Sequence, residues 1–406
     1  MNKKISIATS IVLIALAVLI TFQLTYIKVN NKYQKALSEL KDTQLLYDKL
    51  ASVDSVYRSN YVGEIDEKKL TDSVLKGYVS GTGDKYGAYY TKEEFDEIVL
   101  DNNAELVGIG VNVIYDYERD GIHIVNVMPD SPALEAGIQT GDMIAYVDGE
   151  AVSDIGYSTA LSKLRGEEKT YAEFTVLRDG NFIDFSVERR KITDYTVYSR
   201  IYSKDSKVGI VQILEFDTGT APQFKAAVKE LMNSGVEKLV FDVRNNPGGN
   251  LESIEEVLDY LLPEGTIIRI YDAAGNEETL ASDAACIDLP MMVLVNENTA
   301  SAAELFSSAL RDYGKAKLIG ETTYGKGTMQ TIMPLYDGSA ISVSQNMYSP
   351  PVSDNYEGVG VVPDVEVSLP DEIKYKSVFV LTDDEDTQLI AAVEEFSKKL
   401  LFKGDI

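Results

Sequence analysis

An uncharged and largely apolar run extends from Ile5 to Ile27, directly after Lys3 and Lys4. A helix of this length can cross a hydrocarbon core of about 30 Å. No small-x-small cleavage site follows the run, so the pattern favours an uncleaved membrane anchor over a signal peptide. The two lysines predict that the N-terminus stays on the inner side of the cell membrane and that the chain after the span lies on the outer side.

A helical, polar pattern follows from residue 28 to about residue 80. Its apolar residues recur at three- and four-residue steps, at Leu37, Leu40, Leu45, Leu50 and Val53. This spacing predicts an amphipathic helix. The helix packs on its own domain, forms a stalk or binds a partner; the pattern leaves these alternatives open.

Alternation with a period of two marks a β-rich segment between about residues 95 and 190, as in LVGIGVNVIYD and GIHIVNVMPD. Proline and glycine in SPALEAGIQTGDMIAYVDGEAV indicate a short helix and a turn. YAEFTVLRDGNFIDFSVER predicts a hairpin about Asp179-Gly180, because Asp-Gly suits a tight two-residue turn. The segment is predicted to be a separate small module.

Strand and helix patterns alternate from about residue 195 to residue 370. The runs SKVGIVQI, EKLVFDVR, TIIRIYD, MMVLVN and AKLIG suit buried strands. PQFKAAVKELMNSG and SIEEVLDYLL predict amphipathic helices between them, so this part is expected to be an α/β domain. DTQLIAAVEEFSKKLL predicts a last helix. The predicted segments are 1–27, 28–94, 95–190, 191–370 and 371–406.

Composition narrows the function classes. The chain of 406 residues suggests two to three domains, and its net charge is −27. Nucleic acid is a poor partner for such a chain, because its binding needs Lys and Arg facing phosphates. Cys286 is the only cysteine and His123 the only histidine, and both are interpreted as structural. The scarcity of histidine disfavours a zinc site and a Ser-His-Asp triad.

Three loops that follow apolar strands carry candidate chemistry, since α/β sheets place their sites there. The turn Pro247-Gly248-Gly249 exposes N–H groups that suit an oxyanion, or it needs glycine for backbone reasons alone. Ser301 stands three residues before Glu304, which is the spacing of a helix capping box. A serine at a helix start is also a candidate nucleophile.

The third loop contains Lys326 between two glycines. A buried lysine loses its charge easily, and a neutral amine can take the proton of a serine hydroxyl. The alternative is a solvated loop lysine. An acyl-transfer site needs a nucleophile, a base and oxyanion donors. With histidine nearly absent, serine plus lysine is the arrangement that this chain has available.

The β-rich module resembles a PDZ domain over nearly its whole length. Its matching residues are Ser131-Pro132-Ala133 through Gly137, Gly141-Asp142 and Asp148-Gly149. The resemblance implies that an extended peptide adds as a strand and that loop N–H groups hold its C-terminal carboxylate. The expected carboxylate-binding loop is Leu106-Val107-Gly108-Ile109-Gly110. A purely scaffolding role for the module is the alternative.

The chain as a whole resembles a carboxyl-terminal processing protease, a tail-specific serine peptidase with a Ser/Lys dyad. The matching motifs, in chain order, are Gly83-Asp84-Lys85-Tyr86 with Tyr90, Arg244-Asn245-Asn246-Pro247-Gly248-Gly249, Thr299-Ala300-Ser301-Ala302-Ala303-Glu304, Gly325-Lys326-Gly327 and Gly360-Val361-Val362-Pro363-Asp364. The resemblance implies an α/β fold, with a crotonase/ClpP-like peptidase core and an inserted β-rich PDZ domain. The apolar run after Lys4 adds an N-terminal transmembrane helix to this expectation.

The resemblance also implies roles for particular residues. Ser301 is expected to be the nucleophile, Lys326 the general base and Gln330 the residue that orients the lysine. The N–H groups of Gly248 and Ala302 are the expected oxyanion hole. A further implied residue is Arg165, which helps to couple peptide binding in the PDZ-like module to activation.

Two positions depart from the family pattern without removing a catalytic group. Ala303 stands where serine is usual, and Asp84-Lys85-Tyr86 stands where Asp-Pro-Tyr is usual. The resemblance implies protein or peptide substrates with apolar C-termini, no metal or organic cofactor, and a possible homodimer. Two other classes remain as alternatives: a non-catalytic PDZ scaffold, and an acyl-transfer enzyme on a related crotonase-like fold.

Overall fold

The computed structural model describes residues 7–103, 107–116, 121–192, 195–374, 376 and 378–398. The chain divides into two compact units, Met1–Val74 and Leu75–Ile406. In the first unit, helix α1 (Ile7–Asn60) covers the polar segment predicted to be helical only as far as Asn60, where the helix ends. Near its end, Arg58 pairs with Asp54 at 2.7 Å and with Glu67 at 2.5 Å. Helix α2 (Glu67–Gly81) follows.

The predicted membrane span is not confirmed. Within the described residues, no helix combines the length and the apolar character that crossing a membrane requires. The span from Ile5 to Ile27 therefore stays a prediction, and residues 5 and 6 lie outside the described part of the chain.

A β-rich module spans residues 107–191, almost all of it inside the range 95–190 that the sequence predicts for it, and its first strand begins at Val107. After β1 (Ala88–Tyr90) and α3 (Lys92–Asn103), its elements are β2 (Val107–Gly108), β3 (Val111–Asp116), β4 (Gly121–Val127), α4 (Pro132–Glu135), β5 (Met143–Val147), β6 (Glu150–Ala151), α5 (Val152–Ile155), α6 (Tyr157–Leu164), β7 (Tyr171–Arg178), β8 (Asn181–Glu188) and β9 (Arg190–Lys191). Strands pair in the order β3-β4-β5-β7-β8, with β6 on β5 and a separate β2-β9 pair.

The hairpin predicted about Asp179-Gly180 is confirmed. Strands β7 and β8 pair in continuous antiparallel register on either side of it. Asp179 has φ 48° and Gly180 has φ 81°, and two successive positive φ values define a type I′ turn, whose twist matches that of the strands.

The α/β domain predicted from residue 191 is built around a mostly parallel sheet. Its elements are β10 (Val197–Ile201), β11 (Val208–Ile213), α7 (Thr220–Asn233), β12 (Lys238–Asp242), α8 (Leu251–Leu261), β13 (Gly265–Asp272), β14 (Glu277–Ser282), β15 (Met291–Val295), α9 (Ala302–Asp312), β16 (Ala316–Gly320), β17 (Thr328–Pro334), β18 (Ala340–Ser349), β19 (Val365–Glu366), a 3₁₀ turn (Val378–Val380) and α10 (Thr387–Glu395). The sheet order is β10-β11-β12-β15-β16-β19, with β10 antiparallel to β11.

Both faces of this sheet are covered, which explains its continuous apolar runs. Phe241 on β12 packs with Phe306 of α9 on one face. The preceding residue, Val240, belongs to the cluster that contains Leu389 of α10 on the other face. Because successive strand residues point to opposite faces, both must be apolar.

The run TIIRIYD forms strand β13, as predicted, but in a second, antiparallel sheet. That sheet has the order β1-β18-β13-β14, with β17 also paired to β18. Strand β17 follows the loop that contains Lys326, and its register with β18 shifts between Met329 and Gln330. The second sheet therefore supplies the strand next to the candidate lysine.

Candidate active site

Ser301 is the N-cap of helix α9 and follows the loop after β15. Its backbone has φ 55° and ψ −121°, a conformation that costs about 1–3 kcal/mol for a residue other than glycine. Such strain clusters at functional sites, because the surrounding structure must hold it. Gly248 lies against this turn, since a Cβ added there would come within 2.7 Å of the Ser301 Cβ.

Glu304 connects the serine turn to the lysine loop. Its Oε2 accepts hydrogen bonds from the backbone N–H groups of Ser301 and Lys326, both at 2.8 Å. Its Oε1 accepts from the Gly325 N–H at 2.7 Å and from the Thr323 hydroxyl. Burial raises the pKa of this carboxyl, and the four donors act in the opposite direction. The glutamate half of the predicted capping box is thus confirmed, and the same carboxylate also holds the lysine loop.

Tyr348 contacts the candidate nucleophile, although nothing in its sequence surroundings marked it. Its phenol donates to the Lys326 carbonyl at 2.8 Å and lies 3.2 Å from the Ser301 Oγ. A carbonyl can only accept, so while the single phenol proton is used there, the Ser301 hydroxyl donates to the phenol oxygen. Burial raises the pKa of Tyr348, so the phenol stays protonated.

The candidate base and its predicted orienting residue line the same pocket as Ser301. The Lys326 Nζ lies 4.9 Å from the centroid of the Tyr86 ring. The Gln330 amide donates to the Thr328 Oγ1 at 3.1 Å and to the Ser344 Oγ at 3.2 Å. The structure therefore brings the three predicted residues together, with the glutamine amide bonded to neighbours other than the lysine.

The predicted oxyanion donors lie on either side of the serine turn. The Gly248 N–H donates to the Asn246 Oδ1 at 2.8 Å. The Asn246 amide is fixed in this orientation, because its Nδ2 donates to the Ile213 carbonyl at 2.9 Å. Ala302 is the first residue of α9, where an N–H has no intrahelical acceptor. Gly248 has φ 107°, which only glycine adopts readily.

A small, partly apolar cavity of about 150 Å³ adjoins Ser301. The bulge in β17 puts successive side chains on one side of the strand, so Met329 and Gln330 both line this cavity. Its other apolar lining comes from two helices and strand β13, through Leu251, Ile254, Leu305 and Ile268. A serine at the mouth of such a cavity can attack a carbonyl whose neighbouring apolar side chain is buried.

The predicted peptide groove is a second cavity of about 280 Å³ between β3 and α6. It is lined by all five predicted residues, Val107, Gly108, Ile109, Gly110 and Arg165. Leu106, the first residue of the predicted loop, lies outside the described residues. Glu215 of the α/β domain also borders the groove, so the peptide-binding module and the domain that contains Ser301 meet there.

Sequence comparison identifies both parts. Residues 207–367 match peptidase family S41, and residues 106–188 match the PDZ domain. The "Probable CtpA-like serine protease" of Staphylococcus aureus (strain MSSA476) is 33% identical over 372 residues, which is 90% of this chain and 73% of that protein. Its counterpart in Staphylococcus epidermidis strain RP62A is 32% identical over 384 residues, with 94% and 74% covered.

Structural comparison agrees on the fold. An S41 protease structure from Bacteroides fragilis NCTC 9343 aligns with a TM-score of 0.57 at 19% identity, covering 85% of this chain and 97% of that one. The photosystem II D1 C-terminal processing protease is 27% identical, with a TM-score of 0.49 and coverage of 79% and 87%. The sequence matches show that the chain belongs to the S41 family of serine peptidases, with a PDZ domain, and that it is similar to CtpA-like serine proteases.

Proposed function

We propose that this serine peptidase cleaves proteins near their C-terminal ends with Ser301 as nucleophile and Lys326 as general base. The observation that carries the proposal is the single Glu304 carboxylate that binds the backbone N–H groups of both residues. It fixes the nucleophile turn relative to the lysine loop, and both side chains reach one pocket. In this proposal the PDZ domain spans residues 95–190 and the peptidase core spans residues 191–370.

The reaction begins when the neutral Lys326 amine takes the Ser301 proton. The Ser301 Oγ then forms a bond to the peptide carbonyl carbon, and the carbonyl electron pair moves to oxygen. The oxyanion electron pair then re-forms the C=O bond as the C–N bond breaks, and the ammonium gives its proton to the leaving amine, which leaves the acyl-enzyme. Water, deprotonated by the same lysine, hydrolyses the acyl-enzyme and regenerates Ser301.

The oxyanion is assigned to the N–H groups of Ala302 and Gly248. The Ala302 N–H begins α9, and a helix N-terminus stabilises nearby negative charge. The Gly248 N–H is the second donor. It releases the Asn246 Oδ1 and donates to the substrate oxygen instead. Gln330 orients the lysine in this proposal through its Oε1, which accepts from the amine while Nε2 keeps its bonds to Thr328 and Ser344.

The substrate is proposed to bind at two places. Its C-terminal carboxylate and last residues occupy the PDZ groove at Val107, Gly108, Ile109 and Gly110, as an added strand. The residue next to the scissile bond places a small apolar side chain in the cavity beside Ser301. Arg165 lines the groove and is proposed to couple peptide binding there to activation of the α/β domain. That domain borders the groove through Glu215.

The N-terminal segment 1–27 is proposed to anchor the chain in the cell membrane as a single span, with the catalytic part outside. The motivating observation is the uncharged run after Lys3 and Lys4. The helices predicted at 28–80 and 375–402 are proposed to pair two chains. Alkaline extraction of membranes from expressing cells tests the anchor: recovery of the full chain in the soluble fraction contradicts it. Light scattering of the detergent-solubilised chain tests the dimer.

The dyad is tested with the full chain in detergent, beside Ser301→Ala and Lys326→Ala. Each is incubated with an unfolded protein that ends in apolar residues, and the products are identified by mass spectrometry. Lys229→Ala, an exposed lysine of α7, is the matched control. Cleavage by the parent and the control alone supports the dyad. Equal cleavage by all four proteins contradicts it, and turnover of acyl thioesters instead of peptides favours the acyl-transfer alternative.

A further inference from the structure

Tyr86 lies in the segment Gly83-Asp84-Lys85-Tyr86, to which the proposed reaction gives no role. It is half-buried in the loop between α2 and β1. The centroid of its ring lies 4.9 Å from the Lys326 Nζ. A cation within about 6 Å of a ring centroid is attracted by the negative face of the aromatic ring. Tyr86 is therefore a direct neighbour of the proposed general base.

Contacts at both ends hold this ring in place. The Tyr86 N–H donates to the Asp84 Oδ1 at 3.1 Å, and the Asp84 carboxylate accepts from the Ser344 N–H and hydroxyl, both at 2.8 Å. The Tyr86 hydroxyl donates to the Glu357 Oε1 at 3.3 Å. The loop is thereby attached to β18.

Glu357 also connects the ring to the lysine loop. Its second oxygen accepts from the N–H of Gly327, the residue after Lys326, at 2.7 Å. The tyrosine hydroxyl and the lysine loop thus share one carboxylate. Any movement of the ring relative to the lysine backbone breaks one of these bonds.

We propose that Tyr86 is a positioning residue for Lys326, and this inference rests on the proposed base role of that lysine. The ring binds an ammonium more strongly than a neutral amine. Lys326 becomes an ammonium when it takes the Ser301 proton, so the ring stabilises the state that forms during attack. It also holds the Nζ in one place before the proton moves.

Several other charged groups surround the lysine. The Lys85 Nζ lies 5.1 Å from the same ring centroid. Glu357 accepts from the N–H of the residue after Lys326, and Glu304 accepts from the Lys326 N–H. Asp84 accepts from the Tyr86 N–H. Substitutions confined to Tyr86 retain all four charges, so a change in the pH profile of Ser301 labelling reports on the ring.

The test compares Tyr86→Leu with Tyr86→Phe. The rate at which a small fluorophosphonate labels Ser301 is measured in the full-length protein as a function of pH. This reagent needs no peptide bound in the PDZ groove. A general base that must be neutral predicts a labelling rate that rises with pH to a plateau. Without the ring, the ammonium is less stable, so Tyr86→Leu is expected to move the midpoint down by about 0.5–1 pH unit.

The Leu variant is also expected to lower the plateau rate about tenfold, since the amine is no longer held. Tyr86→Phe keeps the ring and loses the hydroxyl's contacts with Glu357 and Lys85, so its midpoint is expected to match the parent. An unchanged midpoint in the Leu variant contradicts the inference. An equal shift in both variants also contradicts it, because the hydroxyl would then be responsible.

A second substitution covers the case in which the Leu variant does not fold. Pentafluorophenylalanine at position 86 retains the ring shape but reverses the charge distribution of its face. It is expected to shift the midpoint in the same direction as Leu, and no shift relative to Phe contradicts the inference. Lys326→Ala separates the two proposals. If that variant is labelled as fast as the parent, the base assignment fails, whatever Tyr86 does.

Discussion

Glu304, Ser301 and Lys326 depend on one another through backbone groups rather than through their reacting atoms. The carboxylate holds the N–H groups of the other two residues and is itself fully buried. A buried carboxylate that accepts four hydrogen bonds has no acceptor to spare. Its removal is therefore expected to disturb nucleophile and base together.

Glu304→Gln is expected to destabilise the protein by about 1–3 kcal/mol, because an amide N–H₂ then faces N–H or O–H donors. Burial raises the pKa of Glu304, so the folded state holds the proton more tightly than the unfolded state. That stabilising contribution is present below the ordinary pKa of 4.5 and is lost as pH rises through the folded pKa.

The difference in unfolding free energy between the parent and Glu304→Gln should therefore narrow as pH rises. Urea denaturation at several pH values measures this difference. Glu256→Gln, an exposed residue of α8, serves as the control and should change stability by less than about 0.5 kcal/mol. A gap that widens with pH would show that burial does not dominate the titration of Glu304.

Tyr348→Phe is expected to lower kcat about tenfold with KM unchanged, because the Ser301 hydroxyl loses the partner that fixes its rotamer. Steady-state kinetics with one peptide substrate measures this. Tyr313→Phe is the matched control, since the Tyr313 phenol also donates to a backbone carbonyl, that of Thr266, at 2.9 Å. Both variants should lose about 1 kcal/mol of stability. Equal kcat values in the two variants argue against a role of Tyr348 in placing the serine.

At the scale of elements, the turn before α8 and the turn before α9 form one unit. Ala300 donates its N–H to the Asn246 carbonyl at 2.9 Å, and the Gly248 carbonyl accepts from the Phe216 N–H at 2.8 Å. These bonds place the glycine turn directly against the nucleophile turn. A side chain has no room between them.

Gly248→Ala is expected to reduce fluorophosphonate labelling of Ser301 at least a hundredfold. Its Cβ would lie 2.7 Å from the Ser301 Cβ and 3.0 Å from the Ala302 N, so the serine turn must shift. Gly275→Ala shares a positive φ, 81°, but has open space for a Cβ. This control carries a similar backbone strain of about 1 kcal/mol and should leave labelling unchanged. Loss of labelling in both variants would assign the effect to general destabilisation.

Arg244 attaches helix α10 to the sheet. Its guanidinium is buried and pairs with Asp242 at the end of β12 and with Asp386, the N-cap of α10, both at 2.7 Å. Arg244→Ala leaves buried carboxylates without their partner and is expected to cost about 3–5 kcal/mol. Lys204→Ala removes an exposed pair with Asp384 and should cost less than about 1 kcal/mol. Thermal unfolding measures the stability of both variants. Similar losses of stability would show that the buried ion pairs contribute no more than the exposed pair.

At the scale of the whole molecule, the PDZ module touches the peptidase domain beside its groove. The Tyr198 hydroxyl of β10 donates to the Asn112 Oδ1 of β3 at 2.7 Å. Glu215 of the α/β domain borders the groove. The proposed peptide groove is therefore bordered by a surface that belongs to the peptidase domain.

Replacement of a substrate's C-terminal carboxylate by a carboxamide is expected to lower kcat/KM about tenfold or more. The loop N–H groups bind a charged acceptor more strongly than a neutral one. Competition between the two peptides in one reaction, followed by mass spectrometry, measures the ratio. N-terminal acetylation of the same peptide is the control and should have no effect. If the free-acid peptide and the carboxamide peptide are cleaved equally, the proposed recognition of the C-terminal carboxylate is wrong.

The sequence alone determined the features that depend on neighbouring residues. The Asp179-Gly180 hairpin and the glutamate half of the cap at Ser301 follow from short-range chemistry that a few consecutive residues specify. Long apolar runs likewise predicted the strands of the parallel sheet, because burial on both faces leaves no polar positions. The motifs also placed Ser301 and Lys326 among the candidates.

Only the tertiary structure decided what lies next to these residues. The separate antiparallel sheet that contains β13, the second function of Glu304 on the lysine loop, and the positions of Tyr348 and Tyr86 have no local signal. Each depends on a contact between segments far apart in the chain. Periodicity specifies which face of an element is buried, but the packing of all the elements together selects the residue it meets.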